Sequence, residues 1–136
     1  MAEKFLLEIV TPYRRFMSKE VLDMTAHALD GEFGVLAGHS PYLIMLKAGE
    51  VSYKAAGETG LIAIGRGYAE ITHNKATILV ENAETAAEID LKDATDKLKD
   101  AEEALKKLIP EDPGYDDAVN AHELAEARLR VKEKQR

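Results

Sequence analysis

A chain of 136 residues has room for one ordinary domain, or for a small domain with an appendage. With 46% hydrophobic and 32% charged residues it has the make-up of a soluble globular protein, and a net charge of -7 argues against a duplex nucleic-acid binder or a cationic membrane anchor. The absence of cysteine excludes disulfides and thiolate metal sites, which suits a reducing compartment.

Met1 to Phe5 leads directly into a strand pattern, with no signal or transit sequence, so a cytoplasmic protein is expected. No apolar run is long enough to span a bilayer. Phe5 to Val10 reads as a buried or half-buried strand closed by Thr11-Pro12. Arg14 to Phe16 and Glu20 to Leu29 suggest further strands, the latter with Val21, Asp23 and Thr25 on one face and Leu22, Met24 and Ala26 on the other. Asp30-Gly31 is a turn signal, and Gly31, Gly34 and Gly38 punctuate a loop-rich segment ending at Pro41. Strand patterns follow at Tyr42 to Leu46, Gly49 to Lys54, Leu61 to Ile64, Tyr68 to Thr72 and Ala76 to Glu81, separated by turns at Ala56-Gly57-Glu58 and His73-Asn74-Lys75. Short strands at such spacing predict an all-β sandwich or barrel.

Near Asn82 the texture changes. Glycine disappears until Gly114, and Ala, Glu, Lys, Asp and Leu take over, which are mostly helix formers. The reading is therefore a β domain over 1–86 and a helical one over 87–136. Leu91, Ala94, Leu98, Ala101, Leu105 and Leu108 line one stripe of a first helix, which Ile109-Pro110-Glu111-Asp112-Pro113-Gly114 stops. A second helix would place Ala118, Ala121, His122, Ala125 and Leu129 inside, with Leu124 and Val131 beside them. The two form an antiparallel α-helical hairpin whose seam is mostly alanine, each methyl worth roughly 0.8 kcal/mol when fully buried. So thin a seam needs a partner and can exchange one partner for another. The end is basic: Arg128, Arg130, Lys132, Lys134 and Arg136 stand against Glu133 alone. These cations either complement a helix C-terminus or form a tip that docks on an acidic surface.

Enzyme constellations are mostly missing. His27, His39, His73 and His122 are scattered without paired ligand spacing, so no metal site is expected. Gly38-His39-Ser40-Pro41 lacks the second glycine of a nucleophile elbow. Gly65-Arg66-Gly67 is not a dinucleotide fingerprint, and there is no P-loop. Carboxylates are plentiful but sit mostly on the helices, where a solvated face explains them.

In their order and spacing, several blocks resemble the epsilon subunit of bacterial F-type ATP synthases. They are Leu7-Glu8-Ile9-Val10-Thr11-Pro12, the loop Gly31-Glu32-Phe33-Gly34-Val35-Leu36-Ala37-Gly38-His39-Ser40-Pro41, and Gly65-Arg66-Gly67-Tyr68-Ala69-Glu70-Ile71 with Asn74 and Thr77. Ala83-Glu84 through Ile89-Asp90 and Leu129-Arg130-Val131 complete the likeness. It implies a ten-stranded β-sandwich followed by two helices, in a non-catalytic rotor subunit of the central stalk. The sandwich would bind the gamma subunit and the polar loops of the c-ring, with Glu32 and His39 towards that ring. The hairpin would rest on the sandwich or extend to inhibit ATP hydrolysis, Arg128 and Arg130 meeting acidic segments of the alpha and beta catalytic subunits. The location implied is peripheral, on the cytoplasmic face of the bacterial inner membrane, without membrane insertion or nucleic acid. The coupled ion, proton or sodium, is chosen in the ring and not in this chain.

One block departs from the family. Some members bind ATP through I-D-x-x-R-A at the start of the first helix; here Ile89, Asp90 and Ala94 match, but the arginine position is Asp93. A carboxylate there repels phosphate, so the expectation is weak or no ATP binding and no cofactor. A free-standing nucleotide-sensing module is the alternative, and Asp93 counts against it. A small hydrolase is disfavoured by the missing nucleophile, base and metal patterns.

Overall fold

The computed structural model describes residues 3–134; Met1, Ala2, Gln135 and Arg136 lie outside the described residues, and with Arg136 goes the last cation of the basic tip. In β1 (Phe5–Val10), Phe5, Leu7 and Ile9 are buried, as an alternating strand requires. A turn in which the Thr11 N–H donates to the Arg14 carbonyl leads into β2 (Arg15–Val21), antiparallel to β1.

The stretch read as one strand, Glu20 to Leu29, is two. Val21 ends β2 on the core side, while in β3 (Asp23–Ala28) the buried residues are Met24, Ala26 and Ala28. Parity therefore flips at Leu22, whose N–H leaves the ladder and donates to the Lys54 carbonyl at 2.7 Å. A second correction concerns the segment read as loop-rich. Its first six residues form β4 (Gly31–Leu36), antiparallel to β3 from Ala28↔Gly31 to Asp23↔Leu36. Gly31, at φ 138°, makes the tight reversal, and Phe33 and Val35 pack into the core.

The remaining strands are β5 (Tyr42–Leu46), β6 (Gly49–Ala55), β7 (Glu58–Ile64), β8 (Gly67–Thr72), β9 (Lys75–Val80) and the short β10 (Ala83–Thr85). Hydrogen bonding runs β10-β7-β6-β3-β5-β8-β9-β1-β2, with β4 branching from β3. This ten-stranded sheet closes on itself as a near-barrel sandwich around Leu7, Ile9, Met24, Leu46, Val51, Ile64, Ile71 and Ile78. The expected sandwich followed by a helical hairpin is what the chain forms. Where β8 crosses β9 the backbones touch: a Cβ on Gly67 would lie 1.9 Å from the Leu79 carbonyl oxygen and 2.7 Å from Val80 Cα.

Thr85 and Glu88 turn the chain out of the sheet by a reciprocal pair. The Thr85 N–H donates to Glu88 Oε1 (2.9 Å), and the Glu88 N–H donates to Thr85 Oγ1 (3.3 Å). Then come α1 (Leu91–Lys107) and α2 (Tyr115–Lys134), antiparallel across a seam of Ala94, Ala101, Ala118 and Ala125. Of the expected α1 stripe, Leu98, Leu105 and Leu108 are half-buried and Leu91 is exposed. The inner side of α2 needs correcting: Ala121 is exposed, while Ala127, Arg128 and Val131 are buried. The reason is that α2 has two neighbours, with α1 on one flank and strands β6 and β7 on the other. Ala63 of β7, Ile89, Ala94 and Val131 form a second apolar cluster, with Leu61, Ala86 and Leu129 around it.

Replacing Gly67 by alanine sets a methyl against backbone that cannot swing away. The expected loss is about 3 kcal/mol of stability, read as a lower urea midpoint at unchanged slope. A loss under about 0.5 kcal/mol would mean the crossing has room to open.

Candidate partner interfaces

The basic residues of α2 make most of the polar contacts between the helices and the sandwich. Arg128 is only 7% exposed. Its Nε donates to Glu84 Oε1 at 2.7 Å and one Nη to Glu84 Oε2 at 3.5 Å, while the other Nη donates to Asp93 Oδ2 at 2.9 Å. Lys97 lies 3.2 Å from the same Asp93 oxygen. A guanidinium is always charged and expensive to bury unpaired, so two carboxylates around it are what its position demands. Arg128 holds the Asp93 carboxyl below the usual aspartate range, with Lys97 adding to the effect.

Other contacts tie α2 down along its length. Arg66, from the Gly-Arg-Gly between β7 and β8, donates to both carboxylate oxygens of Asp116 at 2.6 and 3.1 Å and holds that carboxyl below its ordinary value. Lys47 faces Glu123 at 3.8 Å, Lys132 donates to the Ala86 carbonyl at 2.8 Å, and Lys134 meets Glu50 at 2.8 Å. Arg130 is exposed and forms no ion pair among the described residues. The two arginines singled out for acidic partners are therefore in opposite conditions. Arg128 is enclosed by the chain's own acids, and Arg130 is open.

At the start of α1, Ile89, Asp90, Asp93 and Ala94 each have a structural role. Asp90 is the N-cap, accepting from the Asp93 N–H at 3.0 Å. Ile89, just before the cap, packs in one cluster with Ala94, a hydrophobic staple across the first turn. Asp93, in the arginine position, binds the arginine of the other helix.

The structure does not bring Glu32 and His39 together. Glu32 opens β4 opposite His27, 3.9 Å between Oε2 and Nε2, with its side chain largely exposed. His39 lies past the other end of β4, beyond a span of about 13 Å from Glu32 to Leu36 at ordinary strand rise. Its half-buried ring is tilted against Tyr42, centroids 5.5 Å apart, and Tyr42 in turn meets Phe33 edge-on. The preceding Gly38, at φ 79°, donates to the His73 carbonyl and pins this loop to the β8–β9 turn.

A further surface escaped the sequence reading. Register aligns Met45 with Tyr68, Tyr68 with Leu79, and Leu79 with Val10, across β5, β8, β9 and β1. Directly paired residues share a face, so these four form one apolar row on the outside of the sheet. Met45 is 57% and Tyr68 41% exposed, and Leu43 and Leu29 beside Met45 are barer still. Only the unbroken apolar run Tyr42 to Leu46 hinted at a strand covered on both sides.

These features define a β-sandwich with a two-helix clip latched to its side and an apolar row left open on its outer face. Residues 4–86 match the family model described as ATP synthase, Delta/Epsilon chain, beta-sandwich domain. The ATP synthase epsilon chain of Geotalea daltonii is 50% identical over 131 residues, spanning 96% of this chain and 95% of that one. That of Geobacter sulfurreducens is 48% identical over the same shares, and epsilon chain 2 of Syntrophotalea carbinolica 40%. In fold, the chain is similar to one in the mitochondrial ATP synthase OSCP/F1/c-ring assembly of Euglena gracilis (TM-score 0.76, 23% identity, 93% of this chain and 79% of that one). It also resembles one in the central stalk and c-ring of Tetrahymena thermophila (TM-score 0.57, 16% identity, 98% and 96%). The chain belongs to the ATP synthase delta/epsilon family, and its matched relatives are epsilon chains along nearly their whole length.

Because Arg66 of the sandwich holds the Asp116 carboxyl below its ordinary value of 3.8 only while the hairpin is docked, an undocked hairpin takes up that proton first as the medium is acidified. The contribution of this pair to docking is thus complete above that value and lost as pH falls through the depressed one. Methyl NMR from pH 5 to 3 should show Val131 leaving its buried environment while Ile9 keeps its own. Simultaneous loss of both signals would remove any separate role for the Arg66–Asp116 pair.

Proposed function

We propose that this chain is a rotor subunit of the central stalk of an F-type ATP synthase, without an active site of its own, that transmits rotation and restrains ATP hydrolysis through its helices. The observation that carries the reading is how α2 is seated. Val131 and Leu129 packed near Ala63 and Leu61, together with a series of charged pairs, hold it on β6, β7 and β10, beside a sandwich with its own separate apolar core. Such a seat can be left without unfolding the platform, which is what a two-state regulatory element requires. When extended, the hairpin would carry Arg128 and Arg130 towards acidic segments of the alpha and beta subunits. The complex would lie on the cytoplasmic face of the bacterial inner membrane; among the described residues no helix is long and apolar enough to cross a membrane.

The apolar row Met45, Tyr68, Leu79 and Val10 is suited to permanent cover by the gamma subunit, as an exposed apolar patch calls for a partner. Glu32 and the region of His39 would face the polar loops of the c-ring. The engagement of Asp93 by Arg128 supports weak or no ATP binding, since a phosphate there would meet a carboxylate.

Ending the chain after Pro110 should raise ATP hydrolysis by the assembled complex at least twofold while assembly stays intact; unchanged hydrolysis would remove the inhibitory role. Met45→Glu, at an exposed position, should cut co-purification with gamma about tenfold without lowering stability. ATP titrated into the isolated chain should leave the Val131 methyl resonance in place, and an affinity tighter than about 1 mM would overturn this part of the reading.

A further inference from the structure

Arg128 has two carboxylate partners, and they belong to different bodies. Asp93 stands on α1 and moves with the hairpin. Glu84 stands on β10, which pairs with β7, and stays with the sandwich. Glu84 faces the Nε edge of the guanidinium with both oxygens, at 2.7 and 3.5 Å, and that edge accommodates one carboxylate in this way at a time. Arg128 is only 7% exposed and Glu84 occupies its Nε edge, so an outside carboxylate must displace Glu84 to take that edge. Arg130, two residues on, is open in the seated state and can meet an acidic partner first.

We propose that Glu84 is a built-in competitor: it fills the Nε edge of Arg128 while the hairpin is docked, and an acidic segment of a partner captures the hairpin by replacing Glu84 on that edge. Asp93 remains the resident counter-ion, so the cation is never left without a carboxylate during the exchange. Without Glu84, the enclosed guanidinium would keep one partner in place of two, which weakens the seat and frees the docking group in the same step. The inference rests on the proposed function for the identity of the partner, whereas the exchange itself is a property of the isolated chain.

The test uses the full chain, amide exchange of α2, and a synthetic octapeptide of alternating Glu and Asp. Glu84→Gln should speed exchange in α2 about tenfold, leave the core strands unchanged and tighten peptide binding about tenfold. Glu84→Asp should recover part of the protection. The double variant Glu84→Gln with Arg128→Gln should exchange at least as fast but gain no affinity for the peptide. Unchanged α2 exchange in Glu84→Gln overturns the latch, and peptide binding that does not tighten, or that the double variant retains, overturns the competition. None of these readouts depends on hydrolysis, so failure of the truncation experiment would cost the inhibitory role without deciding this one.

Discussion

A guanidinium lies almost wholly out of water between two helices and a sheet edge, and the placement of the helical pair follows from neutralising it. Alanine methyls let two helices approach closely, but they are nearly featureless and resist sliding or rotation only weakly. Charge pairs of defined geometry supply what the methyls lack. The Nε edge of Arg128 fixes the rotation of α2 towards β10, its other nitrogen fixes α1 against α2, and Arg66 and Lys134 fix the two ends. Burial draws the hairpin onto the sheet, and the ion pairs decide how it lies. The two contributions also respond differently to solvent, because salt and acid act on the pairs while leaving the apolar contacts nearly untouched.

The strands that carry α2 and those that carry the open apolar row are different sets. The helix lies on β6, β7 and β10, whereas the row runs across β5, β8, β9 and β1. One sandwich thus offers a surface suited to lasting cover and another already covered by its own chain, with Arg66 and Asp116 bordering the exposed Leu29, Met45 and Tyr68. That layout keeps the proposed partner surface and the proposed movable hairpin on separate strands.

Much of the fold was legible because its signals are local. The apolar run Phe5 to Val10, the Ala56-Gly57 turn and the three-four spacing of α1 needed nothing beyond neighbouring residues. The failures came where distant residues decide. Leu22 bends the chain because a carbonyl on β6 takes its N–H, and β4 is a strand despite Gly31 and Gly34 because β3 lies beside it. The pattern passes over Ala127 and sets Val131 only beside the inner stripe, although both are fully buried, since the sheet on that flank of α2 is remote in sequence. The site divides the same way. Arg128 stood out by its charge, yet its partner Glu84 lies 44 positions earlier, and only the fold makes them neighbours. The row Met45–Tyr68–Leu79–Val10 exists in no single segment, so pattern reading could not assemble it.

The place of β1 has a consequence for biosynthesis. The first strand lies parallel to β9, between it and β2, so its inner ladder requires residues 75–79, far along the chain. On a ribosome β1 emerges early and can form a hairpin with β2, but its other edge stays bare until β9 has left the exit tunnel. That edge exposes unsatisfied amides next to Leu7 and Ile9 in the meantime, an invitation to misassembly that Lys75 and Arg15, closing over Glu8, end only when the barrel zips shut. Closure is therefore a late event of translation, and a pause before residue 75 would prolong the vulnerable interval.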